Sequence, residues 1–390
     1  TTSNFDSRGN AIDQIIDNFG PDGKGLDRQV IKNENFNSRG NAGKTTIDTF
    51  VYDTAGKLST VRDGTRVITT SNFDSRGNAV DQIIDNFGPD GKGLDRQVIK
   101  NENFNSRGNA GKTTIDTFVY DAAGKLSTVK DGTRVITTSN FDSRGNAVDQ
   151  IIDNFGPDGK GLDRQVIKNE NFNSRGNAGK TTIDTFVYDA AGKLSTVKDG
   201  TRVITTSNFD SRGNAVDQII DNFGPDGKGL DRQVIKNENF NSRGNAGKTT
   251  IDIFVYDAAG KLSTVKDGTR VITTSNFDSR GNAVDQIIDN FGPDGKGLDR
   301  QVIKNENFNS RGNAGKTTID TFVYDAAGKL STVKDGTRVI TTSNFDSRGN
   351  AVDQIIDNFG PDGKGLDRQV IKNENFNSRG NAGKTTIDTL

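Results

Sequence analysis

The sequence predicts an all-β fold, a repetitive β-solenoid or spiral β-sheet built from stacked strand-turn-strand units. Three observations predict it. Ser3, Ser71, Ser139, Ser207, Ser275 and Ser343 begin the same text, so the 390-residue chain repeats at intervals of 68. Short runs of Val, Ile, Thr and Phe alternate with clusters of Asn, Asp and Gly, the chemistry of strands separated by turns that need φ > 0. Within the long period lies a shorter motif: an aromatic residue, then Asp, Asn or Gly, two free positions, Gly, and Asn or Lys. It starts at Phe5, Phe19, Phe36 and Tyr52, at spacings of 14, 17, 16 and 21 up to Phe73.

Taken in order from Thr65, five extended segments are expected. They are TRVITTSNF (Thr65–Phe73), AVDQIIDNF (Ala79–Phe87), LDRQVIKNENF (Leu94–Phe104), KTTIDTFVY (Lys112–Tyr120) and KLSTVK (Lys125–Lys130). DSRGN, GPDGKG, NSRGN and DAAG punctuate them, and Asp131-Gly132 closes the unit. The second segment also fits a helical face, with Val80, Ile83, Ile84 and Phe87 at i, i+3, i+4 and i+7. The strand reading is preferred, because so short a segment without a cap makes a marginal helix. The best-matching phrases, VIKNENFNSRGNA from Val30 and VITTSNFDSRGNA from Val67, stand 37 residues apart. They are expected to be the same strand, turn and strand in successive layers.

Length alone would allow two or three domains, but the repetition overrides it. One continuous array is expected over residues 1–390. Its full repeats are 1–68, 69–136, 137–204, 205–272 and 273–340, followed by a partial repeat 341–390. A single unit cannot bury its own apolar side chains, so neighbours must stack. Phe5, Phe19, Phe36, Phe50 and Tyr52 are the expected structural ladder, and Gly9, Gly23, Gly40 and Gly56 the expected turn glycines. Against the consensus only Ile12, Thr54, Arg62, Ile253 and Leu390 depart, even though exposed positions would drift if packing were the sole constraint. Such uniformity points to duplication of a segment valued for length or for many equal surfaces.

Composition removes several chemistries. Cys, His, Met and Trp are all 0, so thiol and imidazole nucleophiles and the usual soft-metal ligands are missing. Lys+Arg 51 against Asp+Glu 52 leaves no basic field for a nucleic acid. The apolar runs are far too short for a membrane span. With Thr1 first and no Met, the chain reads as a processed or excerpted part of a longer one.

Candidate sites are few. DNFGPDGKGLD offers Asp17, Asp22 and Asp27 as weak calcium candidates, but the acids stand five apart where calcium loops place them two apart, and a plain turn is preferred. RGNAGKTT approaches a phosphate-binding loop, yet Gly40 and Gly43 are too close for that spacing. The pair Asp13 and Asp17 recurs throughout and reads as a solvated face rather than a glycosidase dyad. Thr45-Thr46 and Thr69-Thr70 are explained by β-propensity, with an array that orders water or binds glycans as the alternative. No catalytic residue and no cofactor is expected, calcium being the one cofactor considered.

At FVYDAAGKLSTVKDG (Phe118–Gly132), Tyr120, Asp121, Gly124, Leu126 and Val129 resemble the YD repeat of bacterial RHS-type proteins. The Phe5, Phe19 and Phe36 units keep the aromatic and the Gly but not the Leu spacing. The resemblance implies long β-sheets that spiral into shells or extended surface structures. The functional expectation is an extracellular or cell-surface structural repeat, a fibre, stalk or biofilm-matrix filament that self-associates and is not an enzyme. The alternative is a multivalent adhesin for a polysaccharide or a surface.

Overall fold

A computed structural model describes residues 1–377 and 379–390. The chain is all β, with 24 strands and no helix among the described residues. The first four are β1 (Thr2–Phe5), β2 (Ala11–Phe19), β3 (Gly25–Phe36) and β4 (Ala42–Val51). The next full set is β5 (Gly64–Phe73), β6 (Ala79–Phe87), β7 (Gly93–Phe104) and β8 (Ala110–Val119), with β9 (Gly132–Phe141) beginning the set after it. AVDQIIDNF is a strand, and its Ile84 is only 6% exposed.

Two compact units are formed, residues 1–168 with 186–196 and residues 169–185 with 197–390. Inside each, a strand touches only its sequence neighbours, and the pairs are antiparallel. The expected stacking of strand-turn-strand units is therefore achieved by consecutive hairpins.

Four strands, not five, make up each repeat. KLSTVK contributes a single bridge, Leu126 to Tyr120, and no strand. Local hydrogen bonding explains why: the Ser127 hydroxyl donates to the Val129 carbonyl (2.7 Å) and accepts from the Val129 amide (3.1 Å). Those bonds take backbone groups that a ladder would need. β8 instead pairs with β9 across this protrusion, Lys112 facing Thr137 and Thr117 facing Gly132.

The hairpin turns are three-residue loops. Asp6 N–H donates to the Asn10 carbonyl (2.9 Å), and Gly9 N–H donates to the Asp6 carbonyl (3.1 Å). The Asp6 carboxylate accepts from the amides of Arg8 and Asn10 at 2.9 and 2.8 Å. Gly9, Gly23, Gly40 and Gly56 have φ of 84°, 78°, 83° and 80°, the left-handed position this loop requires.

Because strands alternate in direction, successive turns fall on opposite edges. The turns after β1, β3, β5 and β7 carry Ser-Arg-Gly-Asn and define an Arg-turn edge. Those after β2, β4 and β6 end in Gly-Lys and define a Lys-turn edge. The two phrases beginning at Val30 and Val67 are thus successive hairpins on the same edge.

Pairing and alternation also divide the side chains between two faces. One face carries Ile68, Ile84, Gln97 and Thr117 in one row, and Thr70, Gln82, Ile99 and Ile115 in the next. The other carries Asp85, Arg96 and Phe118, then Asp81, Lys100 and Thr114, then Glu102 and Lys112. Buried apolar side chains among the described residues are Ile84, Ile152, Ile220, Ile288 and Ile356, all on the first face. Each is covered by its cross-strand neighbours, since no second layer exists within a unit.

Candidate functional site

The densest polar constellation lies on the charged face, near the Lys-turn edge. GPDGK closes a tight hairpin, which places Asp17 of β2 opposite Arg28 of β3. Arg28 grips Asp17 with both arms, Nε to Oδ1 at 2.7 Å and Nη2 to Oδ2 at 2.9 Å. The Tyr52 hydroxyl donates to the same Oδ1 at 3.0 Å. The next repeat reproduces the group as Asp85, Arg96 and Tyr120.

Tyr reaches that carboxylate because a glycine lets it. A Cβ on Gly93 would lie 2.5 Å from the Tyr120 ring, so only the bare backbone fits beneath it. The ring also meets Phe87, centroids 6.1 Å apart and tilted by 41°. Aromatic contacts of this kind are pairwise, Phe19 with Tyr52 and Phe87 with Tyr120. In place of one continuous column, equivalents such as Phe19 and Phe87 have three strands between them. Phe5 and Phe36 stand at the ends of β1 and β3 on the Arg-turn edge, and Phe50 faces Arg28 on the charged face.

The electrostatics favour holding over reacting. The hydrogen bonds from Arg28 keep Asp17 below the ordinary carboxylate range, with Tyr52 adding to the effect, and Asp17 in turn raises Arg28. Burial and then Asp17 push the Tyr52 hydroxyl above its usual value. A carboxylate held ionised and triply engaged is a fixed acceptor and not a proton donor.

The three calcium candidates are not brought together. Asp17 lies on the charged face with Arg28, while Asp27 lies on the opposite face and accepts from the Asn18 amide nitrogen at 2.8 Å. Asp22 sits in the turn, where it accepts from the Lys24 amide at 3.1 Å. Among the described residues no group of three or more carboxylates forms a metal-ligand set. RGNAGKTT forms a turn end and the start of β4, so Gly40 and Gly43 belong to different elements. Asp13 pairs across with Lys32, four positions along β2 from the Asp17–Arg28 pair. Thr45 donates to Asn33 Oδ1 at 2.8 Å, and Asn33 donates on to the Ala11 carbonyl at 3.1 Å, which ties three strands together. Thr69 faces Lys44, and Thr70 of β5 accepts from Gln82 Nε2 at 3.0 Å.

Shallow cavities accompany the protrusions. One of about 340 Å³ is lined by Val187, Asp189, Lys193, Leu194, Ser195 and Thr196, and one of about 330 Å³ by Val255, Lys261 and Thr264 among others. In the sequence that follows each lining segment, Val197 and Val265 are each 60% exposed.

Arg28 and Tyr52 had not stood out as partners of Asp17. The available signal was proximity: Asp17 and Arg28 flank GPDGK, and a one-residue bulge between Asn18 and Phe19 sets them opposite each other. A second missed feature is Asn35, which takes a left-handed φ of 56° within β3 opposite Gly43 without shifting the register.

No protein-family model matches the chain, and no curated protein matches it. Among solved structures, a Tc holotoxin pore from Photorhabdus luminescens is similar at 11% identity and a TM-score of 0.20, over 96% of this chain and 24% of that one. A TcdB2–TccC3–Cdc42 structure gives 11% and 0.18, over 97% and 21%. The exotype rhamnogalacturonan lyase YesX gives 11% and 0.20, over 94% and 74%. The chain thus spans about a quarter of the length of the first of these.

Proposed function

We propose that this chain is an extracellular structural repeat protein that builds a fibre, stalk or matrix filament by end-to-end or lateral β-assembly. The observation that carries the reading is uniformity. Every full repeat places the same Arg–carboxylate grip in the same register, Arg28 on Asp17, Arg96 on Asp85, Arg164 on Asp153, Arg232 on Asp221 and Arg300 on Asp289, each at 2.7 Å. An enzyme needs one distinct constellation, whereas a structural element needs many equal ones. The resemblance of the Tyr120 segment to YD repeats supports the same reading.

The direct test is electron microscopy of the purified chain over a concentration series, with sedimentation alongside. Concentration-dependent rods or lateral bundles are the expected result. A strictly monomeric species throughout would overturn the reading.

A second reading, a multivalent adhesin, is favoured by the cavities at Val187–Thr196 and Val255–Thr264 with their exposed valines. It calls for retention on immobilised polysaccharide that is lost when Val197 and Val265 are both changed to Asp.

A further inference from the structure

The two faces of the sheet differ in a way that no enzymatic or cofactor role explains. In the repeat led by β5, the charged side chains Asp81, Asp85, Arg96, Lys100, Glu102, Lys112 and Asp116 share one face. The opposite face carries Ile68, Ile84, Ile99, Ile115, Val119, Thr70, Thr113, Thr117, Gln82 and Gln97, with Arg66 and Asp95 as its charges. The charged face also holds Val67, Ile83, Val98 and Phe118, so the two faces differ in charge, which leaves the second as the one fit to be packed. Cross-strand neighbours already bury Ile84, but among the described residues of a unit no second layer covers this face, because strands touch only their sequence neighbours.

We propose that this Ile-, Thr- and Gln-rich face is a self-association surface, covered by the same face of a second copy. The proposal rests on the structural reading above and names the surface through which it acts. Area comes first. The chain exposes 21138 Å², whereas a globular chain of 42.0 kDa exposes about 15,000 Å². The excess is several times the roughly 1,600 Å² of a standard stable interface.

Charge comes second. With one Arg and one Asp per repeat on an otherwise neutral face, two copies can set Arg66 against the other's Asp95 without leaving like charges opposed. Geometry comes third: paired rows of Ile, Thr and Gln interdigitate when sheets stack about 10 Å apart. Ile253, a substitution inside this face, replaces Thr with a larger apolar side chain opposite Gln233.

The test uses the 390-residue chain in sedimentation velocity, with far-UV circular dichroism as the check on folding. Gln97→Lys, Gln165→Lys, Gln233→Lys and Gln369→Lys together put four like charges on the face. The expected result is a dimer for the parent chain and at least a ~100-fold weaker dimer for this variant, with the strand signal kept. The matched set Val98→Lys, Val166→Lys, Val234→Lys and Val370→Lys lies on the charged face, at sites 37% exposed, and leaves the dimer intact. Since Cys is 0 in the parent, a milder pair of variants settles the matter should the lysines unfold the sheet. With Cys at the four Gln positions, a bis-maleimide reaching about 10 Å joins two chains, and with Cys at the four Val positions it does not.

Oligomers that survive the Gln→Lys set and cross-link only through the Val positions would overturn this inference and leave the filament reading standing. A parent chain that is monomeric at every concentration would overturn both. A monomer that retains added polysaccharide and releases it on Gln→Lys substitution would also overturn it and give the face to the adhesin.

Discussion

The two edges of the sheet use the same three-residue turn and lock it in different ways. On the Arg-turn edge, neighbouring turns touch. Asn41 Nδ2 lies where a Cβ on Gly77 would come within 3.0 Å, and Asn78 Oδ1 lies 2.7 Å from the corresponding point on Gly108. Arg212 adds a bond across the gap, Nη2 donating to the Asn241 carbonyl at 3.0 Å. On the Lys-turn edge the turn glycines Gly23, Gly56, Gly91 and Gly124 face open space. There the lock sits one step inward, where the Tyr120 ring covers Gly93 and bonds Asp85. The final residue of the motif marks the difference: Asn reaches forward to the glycine of the next turn on its edge, and Lys extends into water.

The contrast can be broken most sharply at Gly93. Gly93→Ala drives a methyl into a ring that cannot yield without leaving Asp85, and a loss of about 3 kcal/mol is expected. Repeat arrays open locally, so the reading is hydrogen exchange of the β6 and β7 amides set against those of distant strands. Gly108→Ala and Gly91→Ala sharpen the comparison. Both incur the left-handed penalty of about 1 kcal/mol, and Gly108→Ala also displaces Asn78, bringing its loss to about 2 kcal/mol. Equal losses at the two sites would show that the Asn contact contributes nothing.

Tyr120→Phe removes one hydrogen bond to a carboxylate, for a loss of about 1 kcal/mol in denaturant unfolding. It also alters the alkaline limb of stability. Burial raises the Tyr120 hydroxyl above its ordinary value of 10.0, so its contribution is present below pH 10 and is lost as pH rises through the folded value. Removing that hydroxyl flattens this limb. At the acid end the sign reverses. Asp17, held down by Arg28, and Asp6, held down by Asn10, lie below 3.8, so they stabilise above that pH and cease to as pH falls through their folded values. Thermal melts between pH 2 and 5 check it, with a falling Tm toward acid as the expected outcome. The smallest change is Lys92→Ala on the open edge, within about 0.5 kcal/mol of the parent.

Much of this was legible in the sequence, and the part that was not has a physical cause. Turn positions could be read because a left-handed φ leaves few residues to choose from, and Gly9, Gly23, Gly40 and Gly56 all take it. AVDQIIDNF could be placed as a strand by its length and flanking turns despite its helical spacing. KLSTVK misled because its β-branched residues are held by a Ser127 side chain, and no composition pattern reveals that competition. Asp17 was read as a metal candidate because loop acids were compared along the chain. Across the hairpin, the same residue is half of an ion pair with Arg28.

The central claim is that each repeat of the sequence adds four paired strands. Cryo-EM or fibre diffraction of the assembled chain measures the rise per 68 residues most directly. Four strands spaced by about 4.8 Å give about 19 Å, with a continuous 4.8 Å reflection along the same axis. A rise of about 24 Å would restore KLSTVK as a fifth strand, and one well above about 30 Å without that reflection would contradict the paired-hairpin sheet itself.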